Sequence, residues 1–249
     1  MPKGSIYGFI GPNGSGKTTT LRMLTGYFKP TAGQVKVKNF DIQEDILAIK
    51  QLIGYLPESA PLYPGMLVYD YLDYVASIRK LTGDAKAERL RRLVGLCGLQ
   101  GIMHKTIGEL SKGLKQRVGL AHAMMSDPEI LILDEPTAVL TPQESRELNQ
   151  VIQQMTAEGK SAIFITHKME EVIAFSDWVR VLRKGRLVAV KKTAETEPNE
   201  LVRLMVGREV LFCLEKQNRS SGDVVLELND VRASDDKGLP ALAGVSFKI

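Results

Sequence analysis

The chain has 249 residues, 44% hydrophobic and 25% charged, an ordinary composition for a folded α/β protein of one large or two small domains. A chain of this size can bury roughly 70–75% of its unfolded surface, so it needs no disulfide or metal staple. A net charge of +4, with Lys and Arg scattered rather than blocked, is too mild to argue for nucleic acid, which is not expected as a partner.

The elements follow in chain order. Ser5–Ile10 is a short apolar run closed by Gly11, the pattern of a buried parallel strand. It is far too short for a signal peptide, and no apolar run approaches a membrane span. The spacing predicts a helix from Lys17, stopped at Gly26. "GQVKV" alternates like a half-exposed strand, and "IGYLPE" reads as another, ending at Pro57. From Met66 to Asp127 three helical patterns follow one another, joined by Gly-containing turns. Strands then return in "EILILDEP", "SAIFITH", "WVRVL" and "RLVAV", with a helix from Pro142 between the first two. Strands alternating with helices predict an α/β fold with a mainly parallel sheet, and the middle helices form an inserted subdomain. Glu215–Asp223 is polar and reads as a linker, followed by two more strand patterns in "VVLELNDV" and "ALAGVSFKI". Cys97 and Cys213 occur in unrelated contexts and read as buried reduced thiols.

"GPNGSGKT", Gly11–Thr18, sits between a predicted strand and a predicted helix, the context a phosphate-binding loop requires. Gly11, Gly14 and Gly16 let the backbone curl so that its N–H groups face phosphate oxygens, with Pro12, Asn13, Ser15 and Thr19 completing the binding loop. The helix start adds partial positive charge. Lys17 suits the β- and γ-phosphates, and the Thr18 hydroxyl suits Mg²⁺. "ILILDEPT" delivers Asp134 and Glu135 at the end of a buried strand, where open α/β sheets bind ligands. Asp134 suits the Mg²⁺ shell and Glu135 the attacking water, unless the pair simply caps the next helix. Ser111 and Gly113 stand at the mouth of a helix, a geometry that can bind an anion; by themselves they are a plain Ser N-cap, the commoner case. His167 ends a strand, a place where a histidine is often structural.

Taken in order, these motifs resemble the nucleotide-binding domain of ABC ATPases over nearly the whole chain. The phosphate loop is Gly11–Thr18, the acid strand Ile130–Glu135, the family signature "LSKGLKQ", and the switch histidine His167. The resemblance implies an ATPase using ATP and Mg²⁺, pairing head to tail as a homodimer or with a second ATPase domain. Ser111 and Gly113 would then touch the γ-phosphate of the partner's ATP. It also implies docking on a membrane permease at the inner face of the cell membrane. The alternatives are a soluble ABC-type ATPase outside transport, and a recombinant or engineered domain that binds nucleotide without a physiological partner.

Several positions depart from the family pattern. Glu58 replaces the usual Gln beside Mg²⁺ and the water; a carboxylate can still hold Mg²⁺ but donates no hydrogen bond. Lys112 replaces a frequent signature glycine, and Thr141 stands where an Asp is usual. No aromatic occupies the place expected to stack on adenine. "IGYLPESAPLYPGM" is similar to gliding-type exporter ATPases, whereas "DEPTAVLTPQE" and "LMVGREV" are similar to importers of simple sugars or nucleosides, which suggests a chimera. The expected organisation is an ATPase core at 1–214 with a helical subdomain at about 59–127, a linker at 215–223, and strands at 224–249. The tail "ALAGVSFKI" reads as a strand that leads into a phosphate-loop strand. The expectation is that 224–249 completes the antiparallel β element of the same domain, as in a circular permutant; the alternatives are that it completes a neighbour's sheet by swapping or is the start of a second domain.

Overall fold

The computed structural model describes residues 3–207, 222–235 and 238–249. The chain divides into two compact units, Met1–Val210 and Leu211–Ile249. The linker expected at 215–223 lies, up to residue 221, outside the described residues, as does Cys213.

The first unit is built on a six-stranded sheet. Its strands are β1 (Ile6–Ile10), β4 (Ile53–Leu56), β5 (Ile130–Asp134), β6 (Ser161–Ile165), β7 (Trp178–Arg183) and β8 (Arg186–Lys192), in the order β4-β5-β6-β1-β7-β8. All neighbours run parallel except β7 and β8. Two short strands between β1 and β4, β2 (Lys36–Val37) and β3 (Phe40–Asp41), pair antiparallel with each other.

The uninterrupted apolar run of β1 follows from burial on both faces. Tyr7 and Phe9 join one core cluster with Ile132, Ile163 and Ile165, while Ile6 and Ile10 join the other with Leu131, Leu133, Ala162 and Phe164. That is the two-residue alternation of a strand, seen on three neighbours at once. One face is covered by α1 (Lys17–Leu24) and α2 (Ile46–Leu52), which contribute Leu21 and Ile49. The second cluster continues into α3 (Val68–Ile78), α4 (Gly83–Leu96) and α5 (Lys112–Met124), where Val68, Leu72, Leu93 and Leu120 are nearly inaccessible. Further along lie α6 (Pro142–Ala157), α7 (Met169–Phe175) and α8 (Pro198–Val206).

This is the predicted α/β fold with a mainly parallel sheet and helices on its faces. Three helices were not predicted. α2 and α7 are only seven residues long, too short for an apolar periodicity to show, and neither has a side-chain capping hydrogen bond at its start. α8 begins with Pro198 in its first turn and ends at Gly207 with φ 80°, a stop signal of the ordinary kind. "GQVKV", predicted as a five-residue strand, pairs only over Lys36–Val37.

The second unit is a hairpin of β9 (Glu227–Ser234) and β10 (Pro240–Lys248), antiparallel with register shifts. Leu226, Leu242, Phe247 and Ile249 on or beside it are exposed.

Candidate functional site

Parallel strands place all their carboxyl ends on one edge of the sheet, and the predicted motifs sit there. β1 pairs with β6 and β6 with β5, so the loop after Ile10, the residues after Ile165 and the acids after Leu133 emerge side by side.

The loop after β1 is folded as the glycine pattern requires. Gly11 has no room for a side chain: a β-carbon would stand 2.2 Å from the Leu182 carbonyl oxygen and 2.6 Å from Ser15 Oγ. Gly16 precedes α1 with φ 100°, a left-handed conformation that L side chains resist. Lys17 is 7% exposed, and its Nζ donates to the carbonyls of Gly11 (2.9 Å) and Pro12 (3.2 Å). The ammonium is thus folded back across the loop and desolvated, held only by neutral carbonyls. The Ser15 Oγ is buried without a partner.

A cleft of about 460 Å³ opens over this loop. It is lined by Asn13–Thr19 together with Glu58, Glu135 and His167. Gly11 and Pro12 form the loop's base behind it. His167 Nδ1 lies 2.9 Å from Glu135 Oε2. Glu135 has φ 48°, unusual for a glutamate, and its N–H donates to the Ile165 carbonyl at 3.0 Å. The bond ties the acid to the strand that carries the histidine, and the backbone strain fixes where its carboxylate emerges.

Asp134 is 4% exposed, and its Oδ1 has no hydrogen-bond partner. Burial pushes its carboxyl above the ordinary range, and the charges of Glu135 and Glu58 push the same way against Arg22 and Lys17. The Tyr55 hydroxyl is pushed up to about 12 by burial and by the Asp134 charge, so it stays protonated beside that carboxylate. An orphaned carboxylate oxygen close enough to Glu135 and Glu58 to feel their charge suits a hard cation. Among the described residues no three of His, Cys, Asp and Glu gather tightly enough to hold a metal by themselves. The set therefore fits Mg²⁺ shared with phosphate oxygens, which needs only one or two carboxylates from the protein.

Ser111 and Gly113 do not line this cleft. Ser111 caps α5, accepting the Leu114 N–H at 3.2 Å. Gly113 is buried against Glu144, whose Oε1 would stand 2.2 Å from a β-carbon there. Thr141, where the family usually has Asp, caps α6: Glu144 Oε2 accepts its N–H at 2.8 Å in a reciprocal capping box.

One supporting residue escaped the sequence reading. Glu171 Oε2 accepts Thr166 Oγ1 at 3.0 Å and Thr137 Oγ1 at 2.5 Å, and Oε1 pairs with Lys168 Nζ at 3.2 Å. Lys168 Nζ also donates to the Thr137 carbonyl at 2.9 Å. Glu171 thus clamps the segment after Glu135 to the segment before and after His167. Nothing in "HKMEEV" singles out the second glutamate, because the clamp depends on a crossing that only the fold creates.

Among the described residues no helix is long and apolar enough to cross a membrane. Known proteins match the chain closely. A glucose import ATP-binding protein of Haloferax volcanii is 33% identical over 282 residues, covering 100% of this chain and 51% of that protein. A nucleoside import ATP-binding protein of Lactococcus lactis is 34% identical over 254 residues, covering 100% of this chain and 50% of its own. The chain thus spans about half the length of the curated relatives it matches. Among solved structures, cbiO1 of Clostridium perfringens, described as part of the ABC transporter complex cbiONQ, superposes with a TM-score of 0.71 at 29% identity, over 82% of this chain and 85% of that one. The sequence pattern of the ABC transporter family runs over residues 1–138, more than half of the chain, and the chain belongs to that family.

Proposed function

We propose that the chain binds ATP and hydrolyses it by phosphoryl transfer to water, to power transport through a membrane permease. The observation that carries this is the single cleft shared by the phosphate loop, Glu135 and His167. The N–H groups of residues 13–19 and the Lys17 ammonium bind the phosphates; Lys17 exchanges its two carbonyl bonds for charged oxygens. Thr18, Asp134 and Glu58 are the residues that would hold Mg²⁺, as the orphaned Asp134 Oδ1 supports. Bound there, Mg²⁺ supplies charge neutralisation on the phosphate oxygens. Glu135 orients the water and takes its proton, and His167 holds the Glu135 carboxylate in place.

Ser111 and Gly113 lie away from the cleft of their own chain, which favours their engaging a nucleotide held by a second ATPase domain, in a homodimer or in a pair with another such domain. Import is the favoured direction, because import proteins match along 100% of the chain. The same full-length matches leave the mosaic reading without separate support. With a permease as partner the protein works at the inner face of the cell membrane, without nucleic acid. That β9 and β10 supply the antiparallel element of a domain of this kind belongs to the same proposal, since a two-stranded hairpin is marginally stable alone. Cross-linking in dilute solution tests the cis form of this proposal: intrachain links support it, and links between chains alone would refute it.

The test is Mg²⁺-dependent ATP turnover by the purified chain, alone and with a permease in vesicles. Turnover that Lys17→Ala leaves intact would refute the site; removing such a contact should cost about 3–4 kcal/mol in the chemical step.

A further inference from the structure

The turn between β7 and β8 touches the phosphate loop at three points. The Gly185 N–H donates to the Ser15 carbonyl at 3.0 Å. The Leu182 carbonyl oxygen fills the space where a Gly11 side chain would be. A β-carbon on Gly16 would stand 3.7 Å from Gly185 Cα. No other hydrogen bond from outside the loop and its helix to a carbonyl of Gly11–Gly16 is found among the described residues. The carbonyls of Gly11 and Pro12 face Lys17 instead.

The consequence follows from peptide geometry. A trans peptide is planar, with its C=O and N–H pointing in opposite directions. The Ser15 C=O and the Gly16 N–H belong to one such unit. A bond that holds the carbonyl outward, on the β7–β8 turn, therefore holds the Gly16 N–H on the opposite side, toward the cleft that Gly16 lines. Gly16 itself cannot hold that direction, because a glycine at φ 100° is free to relax to other conformations. The turn can make the bond only while its backbone stays left-handed at both Lys184 (φ 49°) and Gly185 (φ 72°).

We propose that Gly185 is a positioning residue for nucleotide binding: its N–H anchors the Ser15–Gly16 peptide so that the Gly16 N–H is aimed at phosphate before the ligand arrives. This rests on the ATP-binding reading above. A side chain at Gly185 would meet no atom within 4 Å, so a substitution there tests backbone conformation rather than packing. Valine resists a positive φ, whereas asparagine tolerates it.

The experiment compares Gly185→Val and Gly185→Asn in the full chain by calorimetric titration with ADP and Mg²⁺, alongside thermal melting and Lys17→Ala. Gly185→Val should bind ADP about tenfold more weakly, as expected for losing one well-aimed bond to a charged oxygen, while Gly185→Asn stays close to wild type. Wild-type affinity in the Val variant, or an equal loss in both, would overturn the inference while leaving the ATP-binding reading to stand. No ADP binding by the wild type would remove both. If Gly185→Val does not fold, hydrogen exchange at the wild-type Gly185 amide decides: protection supports the anchor, and exchange at the rate of a free turn overturns it.

Discussion

The Nδ1 of His167 lies 2.9 Å from the Oε2 of Glu135, across the gap between the ends of two parallel strands. An ionised carboxylate only accepts, so the ring proton sits on Nδ1 and the imidazole steadies the acid rather than taking its proton. Glu135→Gln keeps the shape and loses the basicity. It should reduce turnover on the order of 10²–10⁴-fold, leave ATP affinity intact and give a longer-lived ATP-bound dimer. Phosphate release and size-exclusion chromatography with ATP check this. A rate equal to wild type would remove Glu135 from the chemistry.

Burial and two neighbouring carboxylates work against the charge of Asp134. Its folded-state carboxyl titrates above the ordinary value, raised by burial and then by Glu135 and Glu58. For a raised acid, the folded state is favoured most at pH below the unfolded value of 3.8 and loses that advantage as pH rises through the folded value. The penalty on the charged form grows as pH rises above 3.8. Asp134→Asn should therefore stabilise the nucleotide-free protein by about 0.5–2 kcal/mol at pH 7, with the gain shrinking in acid. The same variant should lose the melting-temperature increase that Mg²⁺ and ATP confer on wild type. Melting curves at two pH values, with and without ligand, test both halves.

The division between what the sequence revealed and what it concealed follows the range of the interactions. Gly11–Thr18 and Ile130–Glu135 could be read because each is a local device, glycines that let a loop curl and a strand that ends in acids. The mainly parallel character of the sheet also followed from the alternation of strands with helices, though the strand order within it did not. Glu171 could not be found this way: its two threonine partners come from different loops, 34 and 5 residues away. The Gly185 contact was equally hidden, since "RKGR" is an ordinary hairpin turn until the sheet places β7 beside β1. Thr141 looked like the loss of an Asp, yet it makes a complete capping box with Glu144, a pattern of the kind that is visible in sequence as Thr followed three residues later by Glu.

Base recognition should be weak. Among the described residues no Phe, Tyr or Trp lines the cleft over the phosphate loop. Stacking on an aromatic platform contributes roughly 1–3 kcal/mol per base, and without it the affinity rests on phosphates that all nucleoside triphosphates share. GTP should compete with labelled ATP to within about tenfold. A GTP affinity far below that of ATP would show that some other group reads the base.

The helical region carries an acid-sensitive joint at His122. Its Nδ1 lies 2.6 Å from the Tyr71 hydroxyl, and this pair connects α5 to α3. The Tyr71 hydroxyl is pushed up to about 12 by burial and by Tyr63 and Tyr74, so it keeps its proton, with His122 Nδ1 as its nearer acceptor and the Pro61 carbonyl, at 3.5 Å, as the other. Burial, and then the Arg79 charge, hold the His122 imidazole below its ordinary value of 6.5. For a group with a depressed folded value, the stability is fully present above 6.5 and is lost as pH falls through the folded value. Protonation would also take the near acceptor from the Tyr71 hydroxyl, leaving it the longer Pro61 carbonyl, and put a cation near Arg79. The melting temperature should therefore fall between pH 7.5 and pH 5, and His122→Gln, which keeps an acceptor but cannot be charged, should fall less over the same interval. Parallel acid sensitivity in the two proteins would place the titrating group elsewhere. Tyr71→Phe supplies the complementary control: it removes the hydrogen bond and leaves the imidazole buried beside Arg79, so it should lower stability at pH 7.5, by about 0.5–1.5 kcal/mol, and keep most of the acid-induced fall.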